Sequence, residues 1–254
     1  MIRVEGVNKT FGENHVLKNI NVEFQQGKIN QIIGKSGSGK SVLAKCVVGL
    51  HELDSGHVYY DDKSFSELNR SGKIEIRKQI GMLFQGSALF DSLTVEQNVM
   101  FPLRMFAGMA QAEMLDRVNF CLEHVKIEGK NELFPSELSG GMQKRVGIAR
   151  AIAMNPQYLF CDEPNSGLDP QTSIIIDNLI QELTDEFNMT TIVITHDMNS
   201  VMEVGDNIIF IHEGQVWWQG DRKDILYTEN EELNAFVYAS SLMEHVKEAL
   251  RDSQ

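Results

Sequence analysis

The sequence predicts an α/β fold in which a mostly parallel sheet is wound with helices and interrupted by a helical insertion. Three observations predict it. Short β-branched runs alternate with helical stretches, which is typical of a doubly wound parallel sheet. A glycine-rich turn joins one of these runs directly to a helix. The alternation stops between residues 86 and 155, where helical patterns follow one another.

The strand candidates are short and rich in β-branched residues. The chain begins with strand-like alternation over residues 1–5. The later runs of the same character are residues 22–24, 29–33, 80–84, 158–161, 191–195 and 208–211. We expect these runs to form the core sheet.

The helical insertion is predicted to contain three helices, at residues 95–107, 110–125 and 139–154. Pro102 falls inside the first of them and should kink or end it. Beyond Gly220 a short helix is expected at residues 221–226. A partial helical stripe then follows within residues 233–250, formed by Leu233, Phe236, Val237, Leu242 and Val246.

These patterns predict four segments. The first part of the α/β core spans residues 1–85, and the helical subdomain spans residues 86–155. The second part of the core spans residues 156–224, and a C-terminal helical extension residues 225–254. No internal repeat or long linker interrupts them.

Composition limits the partners. The 254 residues carry a formal net charge of -13, with 36 acidic and 23 basic residues, so attraction to nucleic acid or to an anionic bilayer is not favoured. We expect no signal peptide, because the start lacks a charged region followed by an apolar one. No apolar run approaches the roughly 18 residues of a spanning helix, so membrane contact should depend on a protein partner. Cys46, Cys121 and Cys161 lack CxxC spacing and are expected to be buried, reduced thiols rather than a metal or redox site.

The glycine-rich turn has the form GxxxxGK[ST] and follows the strand candidate that ends at residue 33. Its glycines let consecutive backbone N–H groups face one anion, and the helix that begins at its end adds its dipole. Lys40 then reaches the β- and γ-phosphates of a nucleotide, and the Ser41 hydroxyl ligates Mg²⁺. The turn consists of Gly34, Lys35, Ser36, Gly37, Ser38, Gly39, Lys40 and Ser41.

Two adjacent carboxylates end the apolar strand candidate at residues 158–161. Alternation places Asp162 and Glu163 on opposite faces, so they can take different roles. We expect Asp162 to hold Mg²⁺ through water and Glu163 to act as general base toward the attacking water. Adjacent acids in a loop are usually only solvated, whereas those that end a buried strand are rarely so.

A second anion site is predicted at the helix that follows Leu138. Ser139 is placed as its N-cap, with the free N–H groups of Gly140 and Gly141 beside it. The chain therefore has two phosphate-binding helix ends and one lysine-bearing loop.

Together these motifs resemble the ABC family of ATPases, and the likeness covers nearly the whole chain through about residue 220. The family fold has a RecA-like P-loop core with an antiparallel β portion. Its signature is LSGGQ, so Met142 departs from the usual Gln and puts contacts from that side chain in doubt. The resemblance implies a homodimer in which Ser139 and Gly141 of one copy close over the γ-phosphate held by Lys40 of the other.

Further positions match the family one at a time. Gln85 resembles the Q-loop glutamine that touches Mg²⁺ and water. Residues 166–169, with Asp169, resemble the D-loop that crosses the dimer interface. His196 resembles the switch histidine at the γ-phosphate, although a lone His on an apolar strand is by itself more often structural. Phe11 stands where the family places an adenine-stacking aromatic, although a lone Phe is more often a core residue.

The stretch 86–104 resembles the region that accepts a membrane permease. In detail it is similar to the ATPases of Mce-type phospholipid transporters, which maintain outer-membrane lipid asymmetry. That branch implies a place at the cytoplasmic face of the inner membrane, with a small regulatory subunit and a periplasmic lipid-binding subunit as further partners. Several apolar residues of the stretch are expected to be core instead, among Leu89, Phe90, Val99, Met100 and Phe101.

Alternatives share the same catalytic residues. The nearest is the ATPase of a small-solute importer, for example for amino acids. An iron–sulfur assembly ATPase is possible on length but needs no permease groove. A P-loop protein that senses nucleotide without turnover is disfavoured by Glu163. The C-terminal extension is expected to pack on its own core, on a regulatory partner or, preferably, on the second copy.

Overall fold

The computed structural model describes residues 1–238, which form two sheets flanked by helices. The strands are β1 (Ile2–Phe11), β2 (Asn14–Phe24), β3 (Lys28–Ile33), β4 (Ser55–Tyr60), β5 (Lys63–Ser64), β6 (Ile80–Leu83), β7 (Tyr158–Asp162), β8 (Thr190–Ile194), β9 (Asn207–His212) and β10 (Gln215–Gly220). The helices are α1 (Lys40–Val47), α2 (Arg70–Lys78), α3 (Val95–Phe106), α4 (Gln111–His124), α5 (Gly140–Ile152), α6 (Pro170–Phe187), α7 (Met198–Val204), α8 (Asp224–Tyr227) and α9 (Glu231–Val237).

The larger sheet has six strands in the order β10-β9-β3-β8-β7-β6. All neighbours pair in parallel except β10, which is antiparallel to β9, so the predicted mostly parallel sheet is confirmed. The sequence reading missed β10. In the structure, β9 and β10 are joined by the two-residue loop Glu213 and Gly214. Both residues have positive φ, which is the geometry of a type I′ hairpin turn.

The smaller sheet is antiparallel, with the order β2-β1-β4-β5. It supplies the antiparallel portion that the family resemblance implies, but its long hairpin far exceeds the short runs predicted at residues 1–5 and 22–24. Register shifts between Val4 and Thr10 explain the difference. Each shift breaks the period-two alternation by which a strand is recognised.

Strand β7 shows why the larger sheet has a continuous apolar core on both faces. Tyr158 and Phe160 belong to the apolar cluster that includes α1 and the smaller sheet. Leu159 and Cys161 belong to the cluster formed with α3, α4, α5 and α6. A parallel sheet covered in this way needs apolar residues at successive positions, which is what residues 158–161 supply.

The predicted succession of helices within residues 86–155 is confirmed by α3, α4 and α5, with a 3-10 turn at Pro135–Glu137. These helices share their apolar cluster with one face of the sheet, and the four-segment division stays a prediction. Of the two outcomes expected at Pro102, a kink or an end of the helix, the end is wrong, because α3 continues to Phe106. The proline removes only one helical N–H, and the burial of neighbouring Val99, Met100 and Leu103 holds the helix together.

The short helix expected at residues 221–226 is α8, which begins at Asp224. The Asp221 carboxylate lies just before it and accepts from the backbone N–H groups of Lys223 and Asp224. Helix α9 buries Leu233 and Val237 against Phe210 and Ile33 of its own chain. Packing of the extension on the second copy or on a regulatory partner stays a prediction. The predicted positions Leu242 and Val246 lie outside the described residues.

Two general expectations concern the thiols and the membrane. All three cysteines are buried and free, and burial raises the pKa of Cys46 and Cys121 to about 11 and that of Cys161 to about 12. Among residues 1–238, the helices include none with the length and apolar character to span a bilayer.

Candidate functional site

Four loops meet at one edge of the larger sheet. They follow the carboxyl ends of the adjacent parallel strands β3, β8, β7 and β6, and folds of this kind bind ligands at that edge. The loops border a cleft of about 730 Å³. The predicted residues that line it are Gly34, Lys35, Ser36, Gly37, Gly39, Lys40, Ser41, Gln85, Asp162, Glu163 and His196.

The glycine-rich turn depends on two glycines. Gly34 has φ 147°, and a Cβ atom there would lie 2.2 Å from the carbonyl oxygen of Ile211. Gly39 has φ 105° and is the N-cap of α1. Both conformations are ones that L side chains rarely adopt, so the sequence of this turn is dictated by its backbone path. The hydroxyl oxygen of Ser38 is buried at the base of the turn without a hydrogen-bond partner.

Lys40 is held inside the turn. Its Nζ donates to the carbonyl oxygens of Gly34, at 2.8 Å, and Lys35, at 3.0 Å. Burial lowers the pKa of Lys40, while the charges of Glu163 and Asp162 act in the opposite direction. The ammonium is thus a partly desolvated cation beside the cleft, and such a group interacts strongly with an entering anion.

A group of side-chain oxygen atoms that could act as metal ligands lies in the same cleft as Lys40. The Ser41 hydroxyl donates to Oδ1 of Asp162 over 3.4 Å, and Gln85 lines the same cleft. Mg²⁺ binds to oxygen ligands, commonly one or two carboxylates together with substrate phosphates and waters. The residues therefore fit a magnesium ion bound together with a nucleotide.

Glu163 and His196 both line the cleft, and their side chains are in direct contact. His196 Nδ1 lies 2.9 Å from a carboxylate oxygen of Glu163, and His196 is exposed. Glu163 has φ 50°, a left-handed conformation that costs energy for a residue with a side chain. Its backbone N–H donates to the carbonyl oxygen of Ile194, which holds the strained residue against β8. Strain that the surroundings maintain in this way is typical of functional sites.

The predicted second anion site lies outside this cleft. The side chain of Ser139 caps α5 by accepting from the backbone N–H of Met142, and both Ser139 and Gly140 are exposed. Gly141 packs so closely on α6 that a Cβ atom would lie 2.5 Å from Cγ2 of Thr172. Within one chain the turn thus presents free N–H groups to the surface, away from Lys40.

Two other predicted residues, Asp169 and Phe11, are not among the residues that line the cleft. Asp169 caps α6 by accepting from the backbone N–H and the hydroxyl of Thr172, and these hydrogen bonds lower the pKa of its carboxyl. Phe11 is exposed at the end of β1, edge-on to His51, and Val16 rather than Phe11 lines the cleft. A nucleotide contact for either residue stays a prediction.

Some residues at the site were not recognised from the sequence. Lys144 on α5 is buried, and its Nζ donates to the backbone carbonyl oxygens of Gln85 and Glu163. It ties two of the four loops to the helix that begins at Ser139. Phe236 of α9 also lines the cleft. The only sequence signal for Lys144 was a lysine on the apolar side of its helix.

Comparison with known proteins agrees with this geometry. The family model described as ABC transporter matches residues 17–166, which is more than half of the chain. The chain belongs to the ABC transporter family. It is the ATP-binding subunit of such a transporter and has ATPase activity, and dimers that work with a membrane permease are typical of the family.

Curated relatives of this ABC subunit include methionine import ATP-binding proteins. It is 39% identical over 243 residues to the methionine import ATP-binding protein MetN of Clostridioides difficile (strain 630), covering 96% of this chain and 75% of the relative. It is 36% identical over 256 residues to MetN of Bacillus subtilis (strain 168), covering 99% of this chain and 75% of the relative. These names match the small-solute alternative better than the phospholipid expectation.

Solved structures show the same fold. The ATP-binding cassette MJ0796, determined as a dimer in a post-hydrolysis state bound to ADP and Pi, superposes with a TM-score of 0.79 at 34% identity, covering 87% of this chain and 99% of that one. The protein cbiO1 of Clostridium perfringens, part of the transporter complex cbiONQ, has a TM-score of 0.84 at 31% identity, with 98% of each chain covered. The predicted ABC-type fold is therefore confirmed.

Proposed function

We propose that this chain drives an importer of a small solute, of the class to which methionine belongs, by closing and opening as an ATP-bound homodimer on a membrane permease. The similarity to methionine import ATP-binding proteins supports the solute class, and the cleft is the observation that carries the ATP-driven cycle. It gathers Lys40, Gln85, Asp162, Glu163 and His196 at one edge of the sheet, and it leaves the Ser139 turn free for a second copy.

Within the cleft the residues take separate roles. The glycine-rich turn and Lys40 hold the β- and γ-phosphates, and Ser41, Asp162 and Gln85 hold Mg²⁺, which supplies charge neutralisation on the phosphate oxygens. Glu163 accepts the proton of the attacking water. His196, whose Nδ1 lies 2.9 Å from Glu163, keeps the carboxylate oriented and contacts the γ-phosphate.

Dimerisation completes the site. The exposed N–H groups beside Ser139 in one copy cover the phosphates held by Lys40 in the other. Each nucleotide is therefore bound by the Lys40 turn of one chain and the Ser139 turn of its partner. Residues 166–169 then lie between the two sites. Hydrolysis removes the bridging phosphate and adds charge repulsion, so the dimer opens.

The permease is proposed to dock in an apolar groove of about 440 Å³ between strand β6 and the helices α3 and α5. Phe84, Phe90, Phe101 and Phe106 line it and are exposed, whereas Val99 and Met100 are fully buried, so only part of the predicted stretch is available to a partner. The guanidinium of Arg150 fixes the groove by donating to the carbonyl oxygens of Ser87 and Ala88. The groove begins next to Gln85, which links docking to the cleft.

The groove can be tested with Phe106→Glu. The glutamate carboxylate would be buried among the groove aromatics when the permease docks. We expect permease binding to weaken by about 30-fold or more, since an aromatic side chain at an interface hot spot contributes about 2 kcal/mol or more. The measurement is co-purification from membranes with a tagged copy. Leu50→Glu, an equally exposed apolar position outside the groove, is the matched control. Equal recovery of the permease with both variants would exclude this docking site.

The substrate class is tested by reconstitution with the permease that co-purifies. We expect ATP-driven uptake of methionine or another amino acid into vesicles, with ATP turnover that rises when the solute is supplied. Phospholipid transport, with a periplasmic lipid-binding subunit and a small regulatory subunit as further partners, is the second candidate. Lipid movement between membranes without amino-acid uptake would replace the importer proposal by that candidate. Either reading places the subunit at the cytoplasmic face of the inner membrane through its permease.

A further inference from the structure

A buried carboxylate lies behind the cleft, where the catalytic proposal makes no use of it. Asp177 on α6 is 4% exposed. Its two carboxylate oxygens accept from Nδ2 of Asn165 at 2.9 and 3.0 Å, and Oδ1 also accepts from the hydroxyl of Ser200 at 2.9 Å. Asn165 and Ser200 are buried as well, so the three side chains form an interior polar cluster.

The cluster joins the two segments that carry the facing side chains of the cleft. Asn165 follows Glu163 by two residues and begins the loop 165–169. Ser200 lies in α7, the helix capped by Asp197 directly after His196. Asp177 is thus the common acceptor for one donor on the Glu163 segment and one on the His196 segment.

Stability alone does not account for this arrangement. Burial raises the pKa of Asp177 to about 6, the charges of Asp197 and Glu203 on the adjacent segment act in the same direction, and the hydrogen bonds from Asn165 and Ser200 offset this only in part. A buried ionised group is commonly no more stabilising than an apolar side chain of similar volume. The hydrogen bonds of Asp177 to Asn165 and Ser200 instead select one relative placement of their two segments among several that apolar packing would allow.

We propose that Asp177 is a positioning residue that locks the loop 165–169 to α7 and so fixes the placement of Glu163 relative to His196. The inference rests on the proposed roles of those two residues. Because Asp177 is buried and does not line the cleft, its loss should reduce the rate of hydrolysis and leave ATP affinity nearly unchanged.

The test exchanges the donor and the acceptor. Asn165→Asp places a second carboxylate about 3 Å from Asp177. At pH 8.5 a proton shared between the two carboxylates is disfavoured, so their like charges should drive the two segments apart. We expect kcat to fall by about 10- to 100-fold, the order that small misplacements of catalytic groups produce, with the Kd for ATP within about twofold of the wild-type value.

The rescuing variant is Asn165→Asp combined with Asp177→Asn. The new amide donates to Asp at 165 and accepts from Ser200, so the cluster regains one carboxylate, and kcat should return to within about threefold of wild type if the pair is coupled. Backbone hydrogen exchange gives a readout that does not require turnover. Residues 165–169 and 197–200 should exchange faster together in Asn165→Asp and recover together in the double variant.

The matched control is Thr184→Val on the same helix, which removes a buried hydroxyl bonded to Thr191 Oγ1 at 2.7 Å and to Ile180 O. It should lower the melting temperature without changing kcat at 25 °C. If Asn165→Asp retained full kcat, if the double variant stayed as slow as the single one, or if Thr184→Val were equally slow, the positioning role would be refuted. Wild-type turnover by Glu163→Gln would instead refute the proposed function.

Discussion

Replacing Glu163 by glutamine should reduce ATP turnover by about 10²- to 10⁴-fold, the range that general-base catalysis contributes. The amide cannot accept the proton of the attacking water, but it preserves the shape of a side chain held at a strained φ beside His196. Steady-state phosphate release measures the effect. Glu182→Gln, which changes an exposed carboxylate on α6, is the control and should keep the wild-type rate.

The same variant should accumulate as a dimer when ATP and Mg²⁺ are present. Nucleotide binding is retained, and the step that opens the dimer is blocked. Size-exclusion chromatography with and without ATP should therefore show a shift to twice the mass. A monomer under both conditions, also in the presence of the permease, would contradict the shared site formed by Lys40 and the Ser139 turn.

Lys40→Ala should weaken ATP binding by about 100-fold and abolish both closure and turnover, because about two charge-assisted hydrogen bonds to phosphate oxygens are lost. Burial lowers the pKa of Lys40, so its charge is disfavoured where it lies, and we expect the variant to remain folded. The measurement is the Kd for ATP by titration calorimetry, together with the melting temperature of each variant.

Lys45→Ala on the next turn of α1 is the matched control for Lys40→Ala. It removes one cation from the same helix and lies outside the residues that line the cleft, so the Kd for ATP should stay within about twofold. Equal losses from both variants would mean that Lys40 acts only through the general field of the helix and not by direct contact with phosphate.

Local sequence was sufficient to predict the parts of the cleft that each strand carries. A short apolar run precedes each of three sites: the glycine-rich turn, the pair Asp162 and Glu163, and His196. One such run with its loop is enough to place the functional side chains at the end of that strand. Parallel pairing then brings the strand ends to one edge. The mostly parallel sheet and the succession of helices after residue 86 follow from the same local patterns.

Other features needed the tertiary structure. The register shifts in β1 hide its length, and the continuation of α3 past Pro102 depends on the burial of side chains around it. The aromatic lining of the groove could not be told from core, because exposure of Phe106 and burial of Met100 depend on which face of α3 meets α4 and α5.

The sequence by itself determined which chemistry the chain carries, because its phosphate-binding turn and strand-end acids are set by contiguous residues. The tertiary structure decided how those groups are held. Lys144 reaches two loops from α5, and Asp177 accepts from Asn165 and Ser200, which are 12 and 23 residues away from it. Contacts over such separations depend on strand order and helix packing, which no local pattern specifies.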